Sequence, residues 1–405
     1  MTAIQKSSRI DIIDALRGFA LAGIVIVHMV ENYVAAPVPE AAVEAAHQGV
    51  FDYVIDGIVL ILLRGKFFAL FSFLFGLSFF IQMHKAPQKK GDYRYRFLWR
   101  MILLMCIGYL HSLFYRGDIL TIYAMLGVFL LFFYRVRSTW ILAIVAILFL
   151  GAGRFITFTL TNGQSLFLLG ELTAENPLMI QYYDVLKEGS IWEVFQTNAW
   201  EGHLMKLDFQ LGIFSRAYLT FGFFLLGLYT GRIEFFKNFT QRKKITRDLL
   251  WASLILFCVG VFITVGSFAQ IGPEPKFDNW YAMIGLTGFD LVNIAITLAL
   301  LCLFVIVYRS ERWRKYLDIF KAYGRTALSN YVLQSILGTF FFYGWGLGFI
   351  GTLSNTYVFI AALLLIVFQM GISIWWMKRF YYGPLEWIWR SFTYFTVYPF
   401  RRNGA

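Results

Sequence analysis

Long apolar runs alternate with short polar segments along the chain. Ten of the runs have the length of a membrane-spanning helix, and they cover residues 12–33, 55–83, 97–115, 118–134, 139–160, 211–232, 249–270, 283–308, 326–343 and 357–377. A helix rises about 1.5 Å per residue, so about 20 apolar residues cross the hydrocarbon core of a bilayer. The pattern predicts an all-α polytopic membrane protein with about ten transmembrane helices.

The second run contains a polar interruption that the other runs lack. Arg64, Gly65 and Lys66 lie in the middle of a run that is too long for one straight crossing. Charged side chains are expensive at membrane depth, and glycine weakens a helix. We therefore expect a break at these residues. The part before Arg64 should lie near the outer interface, and the part after Lys66 should cross.

Composition supports a membrane protein and changes how the net charge is interpreted. Of the 405 residues, 59% are hydrophobic and only 15% are charged, and the formal net charge is +12. In a soluble protein such a charge suggests nucleic acid. Here the basic residues lie in short loops between apolar runs, so the positive-inside rule accounts for them. The predicted partner is the lipid bilayer, and no nucleic acid or metal is expected.

The distribution of basic residues predicts the orientation of the chain. One set of connections carries most of the lysines and arginines, and it comprises Lys6, Arg9, 84–96, 135–137, 232–247, 309–325 and 378–402. The alternate connections hold Arg116, Lys187, Lys206 and Lys276. Since basic loops stay in the cytoplasm, both termini are predicted to be cytoplasmic.

The connection at 161–210 is the only long one, and the orientation places it outside. Its acids are Glu171, Glu175, Asp184, Glu188, Glu193, Glu201 and Asp208. Residues 180–195 have the pattern of one amphipathic helix. The segment is interpreted as a lid over the outer face, and a solvated loop with a surface helix is the alternative. The chain is thereby divided into a transmembrane half at 1–160, the lid at 161–210 and a second transmembrane half at 211–405.

Polar side chains within the apolar runs form two groups by depth. The inner group comprises Asp14, Arg17, Arg325, Ser329, Asn330 and Gln334. The outer group comprises His28, Glu31, Arg64, Lys66, His111, Arg116, Asp118, Arg154, Arg216 and Asp290. Because a charge within a bilayer is costly, each of these residues predicts a partner or a function.

The inner group has two interpretations. Asp14 and Arg17 are three residues apart and can pair on one helix face. Alternatively, the planar fork of Arg17 binds an anionic group from the cytoplasm. Asn330 and Gln334, one turn apart, either bond between helices or line a cavity.

The stretch "GYLHSLFYRGDILTIYAMLG" at 108–127 carries the strongest candidate chemistry. "RGD" at 116–118 predicts a tight turn between two spans, with His111 about one turn below it. Asp118 begins the returning helix, where the helix dipole favours an acid. His111 is therefore placed to meet Asp118 across the turn, or His28 of the first span. We expect His111 to be a general base whose tautomer Asp118 holds, with His28 as the other candidate.

Four blocks of sequence resemble a known family. They are "RIDIIDALRGFALAGIVIVHM", "RGKFFALFSFLFGLSF", "YRFLWRMILLMCIGYLHSLFYRGDILTIYAMLG" and "YGRTALSNYVLQSILGTFFFYGWGLGFIG". Together they are similar to the YeiB-like bacterial membrane proteins, whose C-terminal domain has no assigned function. The first span is also similar to a wider superfamily of transmembrane acyltransferases, which includes the lysosomal heparan glucosaminide acetyltransferase. YeiB-like proteins often carry asparagine where this chain has His28.

The resemblance implies a function and roles for the polar residues. Members of the superfamily move an acyl group from cytoplasmic acyl-coenzyme A to an acceptor outside, such as a sugar or an envelope component. By this resemblance, coenzyme A would be bound by Arg17, Arg325, Asn330 and Gln334. The acceptor would be bound by Glu31, Lys66, Arg116, Arg154, Arg216 and Asp290. His111, His28 and Asp118 would carry the chemistry.

A transporter of small molecules or lipids is the competing function. Charges within the membrane and broken helices are also features of transporters. For either function we expect a multi-pass protein of the bacterial inner membrane. The sequence is compatible with a monomer and with a homodimer.

Overall fold

The computed structural model describes residues 10–85, 93–167, 173–271 and 277–402. Lys6, Arg9, Glu171 and Lys276, which contributed to the charge pattern above, lie outside these ranges.

Within those ranges the chain forms nineteen α-helices and no β-strand longer than an isolated bridge. The helices are α1 (Asp11–Val30), α2 (Glu40–Ala46), α3 (Val50–Ile58), α4 (Lys66–Lys85), α5 (Tyr93–Phe114), α6 (Leu120–Phe133), α7 (Ser138–Phe149), α8 (Ala152–Thr161), α9 (Pro177–Glu188), α10 (Ile191–Ala199), α11 (Glu201–Leu211), α12 (Arg216–Arg232), α13 (Lys243–Phe268), α14 (Trp280–Arg309), α15 (Glu311–Leu317), α16 (Phe320–Arg325), α17 (Ala327–Phe342), α18 (Asn355–Arg379) and α19 (Pro384–Tyr394). A π-helical turn at Val59–Leu63 extends α3.

The predicted all-α, multi-pass architecture is confirmed. Among the described residues, six helical segments are long and apolar enough to cross a membrane, namely α1, α3 with α4, α5, α13, α14 and α18. Two bent pairs, α7 with α8 at 50° and α11 with α12 at 62°, also qualify when each is taken as one span. The shorter apolar helices α6 and α17 correspond to the two remaining predicted runs. The count of ten spans and the cytoplasmic termini stay predictions.

The predicted break in the second run is confirmed. The helix ends at Leu63, and a new one begins at Lys66. Gly65 lies between them with a φ of +82°, in the left-handed region that glycine adopts without a steric penalty. The ammonium of Lys66 donates to the Leu60 carbonyl at 2.8 Å, which bonds the two helical segments across the break. Arg64 and Gly65 at the break line a cavity.

Helix α1 is the centre of the bundle. Ala15, Leu16 and Leu21 on this helix are fully buried. It packs against α4 from the first half of the chain and against α16, α17 and α18 from the second. The contact with α16 is close because Gly18 faces Gly324, and a Cβ atom at Gly18 would lie 2.9 Å from the Gly324 nitrogen. The two halves thus share one apolar core, which holds polar groups of both near each other.

The predicted single amphipathic helix at 180–195 is wrong, because the chain forms two helices there. Helix α9 ends at Glu188, and α10 begins at Ile191. Ser190 and Glu193 form a capping box, in which the Ser190 hydroxyl accepts from the Glu193 nitrogen at 3.3 Å and the Glu193 carboxylate accepts from the Ser190 nitrogen at 2.7 Å. The hydrogen bonds from Ser190 lower the pKa of Glu193 below its ordinary value.

The predicted orientation can be tested with single cysteines introduced on a background that lacks the three native ones. Lys187→Cys lies exposed on the lid segment, and Lys237→Cys lies exposed in the basic connection after α12. We expect a membrane-impermeant maleimide, added to intact cells, to label position 187 and to spare position 237. Both positions should be labelled after permeabilisation. The opposite pattern in intact cells would exchange the inner and outer groups.

Candidate active site in an outer cavity

A cavity of about 580 Å³ lies where the end of α1, the break before α4, the α5–α6 turn and the lid helix α11 meet. This volume is in the range of small-molecule binding sites. Polar side chains in its lining include His28, Glu31, Arg116, Asp118, Lys206 and Arg216. The cavity therefore brings together residues from four separate parts of the sequence.

The structure brings His111 and Asp118 together. The Nδ1 atom of His111 lies 2.9 Å from Oδ1 of Asp118, and both side chains are buried. A carboxylate only accepts hydrogen bonds, so Nδ1 carries the hydrogen. In the neutral ring the lone pair is then on Nε2, which is buried and has no hydrogen-bond partner in the described part of the chain. This is the geometry of an oriented base.

Asp118 also caps the helix that follows it. Its two oxygens accept from the backbone nitrogens of Leu120 and Thr121, each at 3.0 Å. The Thr121 hydroxyl donates to the same carboxylate at 2.9 Å. The structural and the chemical interpretation of Asp118 are therefore compatible, because one carboxylate serves the cap and the histidine at once.

Lys206 belongs to this site, although its place in the sequence predicts only a charge in an outer loop. Its ammonium donates to the Thr121 hydroxyl at 3.0 Å and lies 3.8 Å from Asp118. Lys206 belongs to helix α11, and its side chain is buried. The available signal was a lysine directly between two apolar residues, Met205 and Leu207, of the outer connection.

His28 and His111 lie on either side of two tyrosine rings. The Tyr331 ring centroid is 5.0 Å from that of His111 and 6.3 Å from that of His28. The Tyr115 ring is 5.0 Å from His28 and 6.5 Å from His111. His28 lines the cavity, whereas His111 does not and is 2% exposed. The Nδ1 atom of His28 is buried and, like Nε2 of His111, has no hydrogen-bond partner among the described residues.

The six residues predicted to bind the acceptor divide into two sets. Glu31, Arg116 and Arg216 line the cavity, and Glu31 also pairs with Arg64 at 2.7 Å. Lys66, Arg154 and Asp290 are not among the lining residues.

Arg154 forms an ion pair and hydrogen bonds that connect helices of the bundle. Its guanidinium pairs with Asp290 and donates to the Thr287 hydroxyl and the Ile213 carbonyl, each at 2.7 Å. These bonds join α8 to α14 and to the bend between α11 and α12.

The inner group does not join the outer cavity. Arg17 donates to Asp14 and to the Ser78 hydroxyl, each at 3.1 Å. Asn330 donates to the Ser373 hydroxyl at 2.9 Å, an interhelical bond of the kind that the sequence suggested. Gln334 is fully buried, and neither atom of its amide has a partner in the described ranges. Arg325 is half-buried at the end of α16.

Two families match separate segments of the chain, and relatives match along most of its length. The family described as heparan-alpha-glucosaminide N-acetyltransferase, catalytic, matches residues 9–186. The family described as a protein of unknown function, DUF418, matches residues 230–396. The uncharacterized protein YxaH of Bacillus subtilis is 26% identical and covers 100% of this chain and 99% of its own length. The uncharacterized protein YeiB of Escherichia coli is 24% identical over 81% of each chain.

The resemblance to the YeiB-like bacterial membrane proteins is confirmed. The acetyltransferase match further indicates an acyltransferase-like membrane protein. His28, His111 and Asp118 fall within that match. Tyr331 falls within the other matched family. The two matched segments therefore meet at the pair of histidines.

Proposed function

We propose that this YeiB-like protein is an integral-membrane acyltransferase of the bacterial inner membrane whose transfer step takes place in the outer cavity. The observation that carries the proposal is the oriented His111–Asp118 pair beside a cavity that His28 lines. Acyl transfer to a hydroxyl or an amine needs a general base at the acceptor. The acetyltransferase match over the same residues supports this class of reaction.

The two histidines have complementary properties that suggest a relay. His28 is accessible from the cavity, and His111 has the carboxylate partner that stabilises a positive ring. The centroids of the Tyr115 and Tyr331 rings each lie within 6.5 Å of both histidine rings. Their unpartnered nitrogens, Nδ1 of His28 and Nε2 of His111, are both buried beside Tyr115 and Tyr331. The relay requires that acceptor binding bring these two nitrogens into hydrogen-bond distance, since catalytic hydrogen bonds often tighten only in the substrate complex.

In the proposed reaction, the two histidines accept a proton from the acceptor and return it to the leaving thiolate. The acceptor oxygen or nitrogen attacks the thioester carbonyl as His28 Nε2 takes its proton. His28 Nδ1 passes a proton to His111 Nε2, and Asp118 stabilises the resulting imidazolium. The carbon–sulfur bond breaks, and coenzyme A leaves as a thiolate. Return of the proton through the histidines neutralises the thiolate, which leaves an acylated acceptor and free coenzyme A.

The donor is proposed to be acyl-coenzyme A, bound from the cytoplasm at the inner group. Arg17 and Arg325 would bind its phosphates, and Asn330 and Gln334 would lie along its path. Arg17 is about 16 Å from His28 along α1, since eleven residues separate them. The extended pantetheine arm of the coenzyme would span this interval, so that the thioester reaches the outer cavity.

Substitution of Arg17 tests the donor site. If Arg17 binds the coenzyme, Arg17→Lys should weaken coenzyme A binding about tenfold or more, because lysine cannot reproduce a bidentate fork. If Arg17 only pairs with Asp14, the substitution should be nearly silent. Calorimetry on the purified variants distinguishes the two results. Equal affinity for wild type and Arg17→Lys would remove this residue from the donor site.

The proposed activity is tested most simply by release of thiol. Purified protein is incubated with acetyl- or palmitoyl-coenzyme A and an extract of the bacterial envelope as the source of acceptor. We expect thiol to appear only when donor, acceptor and wild-type protein are all present. Release that is unchanged in the His28→Ala, His111→Ala double variant would contradict the proposal.

Transport of a small molecule or lipid is the second candidate, and the broken helices favour it. The break at Gly65 lies at the cavity, as does the 62° bend between α11 and α12, and transporters use such discontinuities at their binding sites. This function predicts movement of a substrate across vesicles without thioester cleavage. Flux without thiol release would favour it over the acyltransferase.

A further inference from the structure

The polar cluster around the outer cavity, whose members are buried or partly buried, contains more cations than anions. The cations are Arg64, Lys66, Arg116, Arg154, Lys206 and Arg216, and the acids in contact with them are Glu31, Asp118 and Asp290. Arg64 pairs with Glu31 and Lys206 with Asp118, whereas Arg154 and Arg216 share Asp290. A further acid in the lining, Asp56, is partly exposed and lies 3.9 Å from His47. Since burying an uncompensated charge is costly, the cluster favours an anionic ligand.

Arg116 has the least compensation of the cavity-lining cations. Among the residues that the structure describes, no carboxylate lies within 4.0 Å of its guanidinium, and the residue is only 7% exposed. Its donors contact neutral groups, namely the Ala35 carbonyl and the Met205 sulfur. A guanidinium has five N–H groups in a planar fork. These contacts leave donors of a buried cation available beside the cavity.

The Arg116 side chain is also held in place. The Tyr182 ring lies 4.8 Å from the guanidinium carbon and packs against it. Gly202 of α11 packs against the side chain, since a Cβ atom there would be in van der Waals contact with Arg116 Cγ at 3.4 Å. An arginine that merely anchored the chain at lipid headgroups would extend towards water. This one is instead enclosed under the lid.

Two other cations complete a basic wall. Arg216 lines the cavity and reaches Asp290 only at 3.7 Å, so its pairing is loose. Lys206 lines the cavity beside Asp118. Gly65 also lines the cavity and adjoins Arg216, since a Cβ atom at this position would lie 3.6 Å from the guanidinium, in van der Waals contact.

We propose that the outer cavity binds a phosphate-bearing acceptor, with the phosphate on Arg116, assisted by Arg216 and Lys206, and the reacting hydroxyl or amine at His28. The proposal rests on the proposed function for the reacting group, whereas binding of the phosphate stands by itself. An arginine fork matches two phosphate oxygens at once. The phosphate can belong to a lipid headgroup or to a free sugar or polyol phosphate, and the experiment separates these sources.

The test measures binding to full-length purified protein in the absence of any acyl donor, so that its failure is distinct from failure of the transferase proposal. The soluble probe is glycerol 3-phosphate, with glycerol as the neutral match. The lipid probe is a nanodisc of phosphatidylglycerol, with phosphatidylcholine as the match. The readout is the shift in melting temperature, titrated to give a dissociation constant for the soluble probe.

We expect glycerol 3-phosphate or phosphatidylglycerol, but neither match, to raise the melting temperature of the wild type. A shift with the soluble probe identifies a free phosphate acceptor, and a shift only with the lipid identifies a headgroup. Arg116→Gln should weaken binding about 10- to 100-fold, the value of a charge-assisted bond. Arg116→Lys should lie between, and Lys187→Gln, which removes an exposed lid charge outside the cavity, should bind as wild type.

Three results would overturn the proposal. The first is equal stabilisation by glycerol and glycerol 3-phosphate, and the second is no effect of either phosphate probe on the wild type. The third is unchanged binding in Arg116→Gln. Should that variant fail to fold, Arg216→Gln is measured instead, and unchanged binding there would also count against the basic wall.

Discussion

Replacing either histidine of the proposed relay is expected to lower the rate of acyl transfer by about 10²- to 10⁴-fold, the usual contribution of general acid–base catalysis. His28→Ala removes the group that contacts the acceptor, and His111→Asn removes the basic nitrogen behind it. Asparagine at 111 keeps an N–H donor for Asp118, so the α5–α6 turn should stay intact. The measurement is thiol release, with the melting temperature and coenzyme A binding determined in parallel.

The relay makes a sharper prediction for the double variant. When two residues act as one unit, replacing the second lowers the rate little further once the first has been replaced. His28→Ala with His111→Asn should therefore be about as slow as either single variant. The control is His203→Asn, because His203 is a partly buried lid histidine that bonds Ser112 and Asn198 and lies outside the cavity. Effects that multiply in the double variant would show that the histidines act independently, and full turnover in His111→Asn would exclude its role.

Asp118→Ala is expected to cause the largest loss of stability, about 3–5 kcal/mol, because it breaks a buried ion pair. It leaves the Lys206 ammonium buried without a carboxylate, and it removes the cap of α6. Asp118→Asn should be milder, since asparagine still caps a helix. The free energy of unfolding in detergent measures both effects.

A compensating variant tests the cause of that loss. In Asp118→Asn with Lys206→Met, both charges of the Lys206–Asp118 pair are removed together. We expect this double variant to be more stable than Asp118→Asn alone, because neighbouring residues in one ion pair are not additive. A double variant less stable than Asp118→Asn would contradict the ion-pair explanation.

The features that the sequence predicted correctly are local ones. The lengths of the apolar runs predicted the spans. Each helical residue adds a fixed rise of about 1.5 Å, so the number of apolar residues can be compared directly with the thickness of a bilayer. Arg64, Gly65 and Lys66 predicted the break because glycine and two charges are adjacent. The contact between His111 and Asp118 was predicted because only seven residues and a tight turn separate them.

The features that the sequence did not reveal depend on long-range packing or on competing local signals. Tyr331 reaches the two histidines from the other end of the chain, and no local pattern indicates such a contact. Lys206 was counted only as a charge of the outer connections, because such counts use no knowledge of burial. The boundary between α9 and α10 at Ser190 had a visible signal, a serine followed three residues later by glutamate. The amphipathic pattern continued through it and concealed the boundary.

The most direct test of the central claim is transfer across a sealed membrane. Wild-type protein is reconstituted in proteoliposomes of known orientation, with acetyl-coenzyme A labelled in its acetyl group on the side of the termini and envelope extract as acceptor on the lid side. The account predicts that the label appears on an acceptor on the lid side, and that His28→Ala and His111→Asn abolish this. Label that stays in acetyl-coenzyme A, or acceptor that is labelled only on the side of the donor, would contradict it.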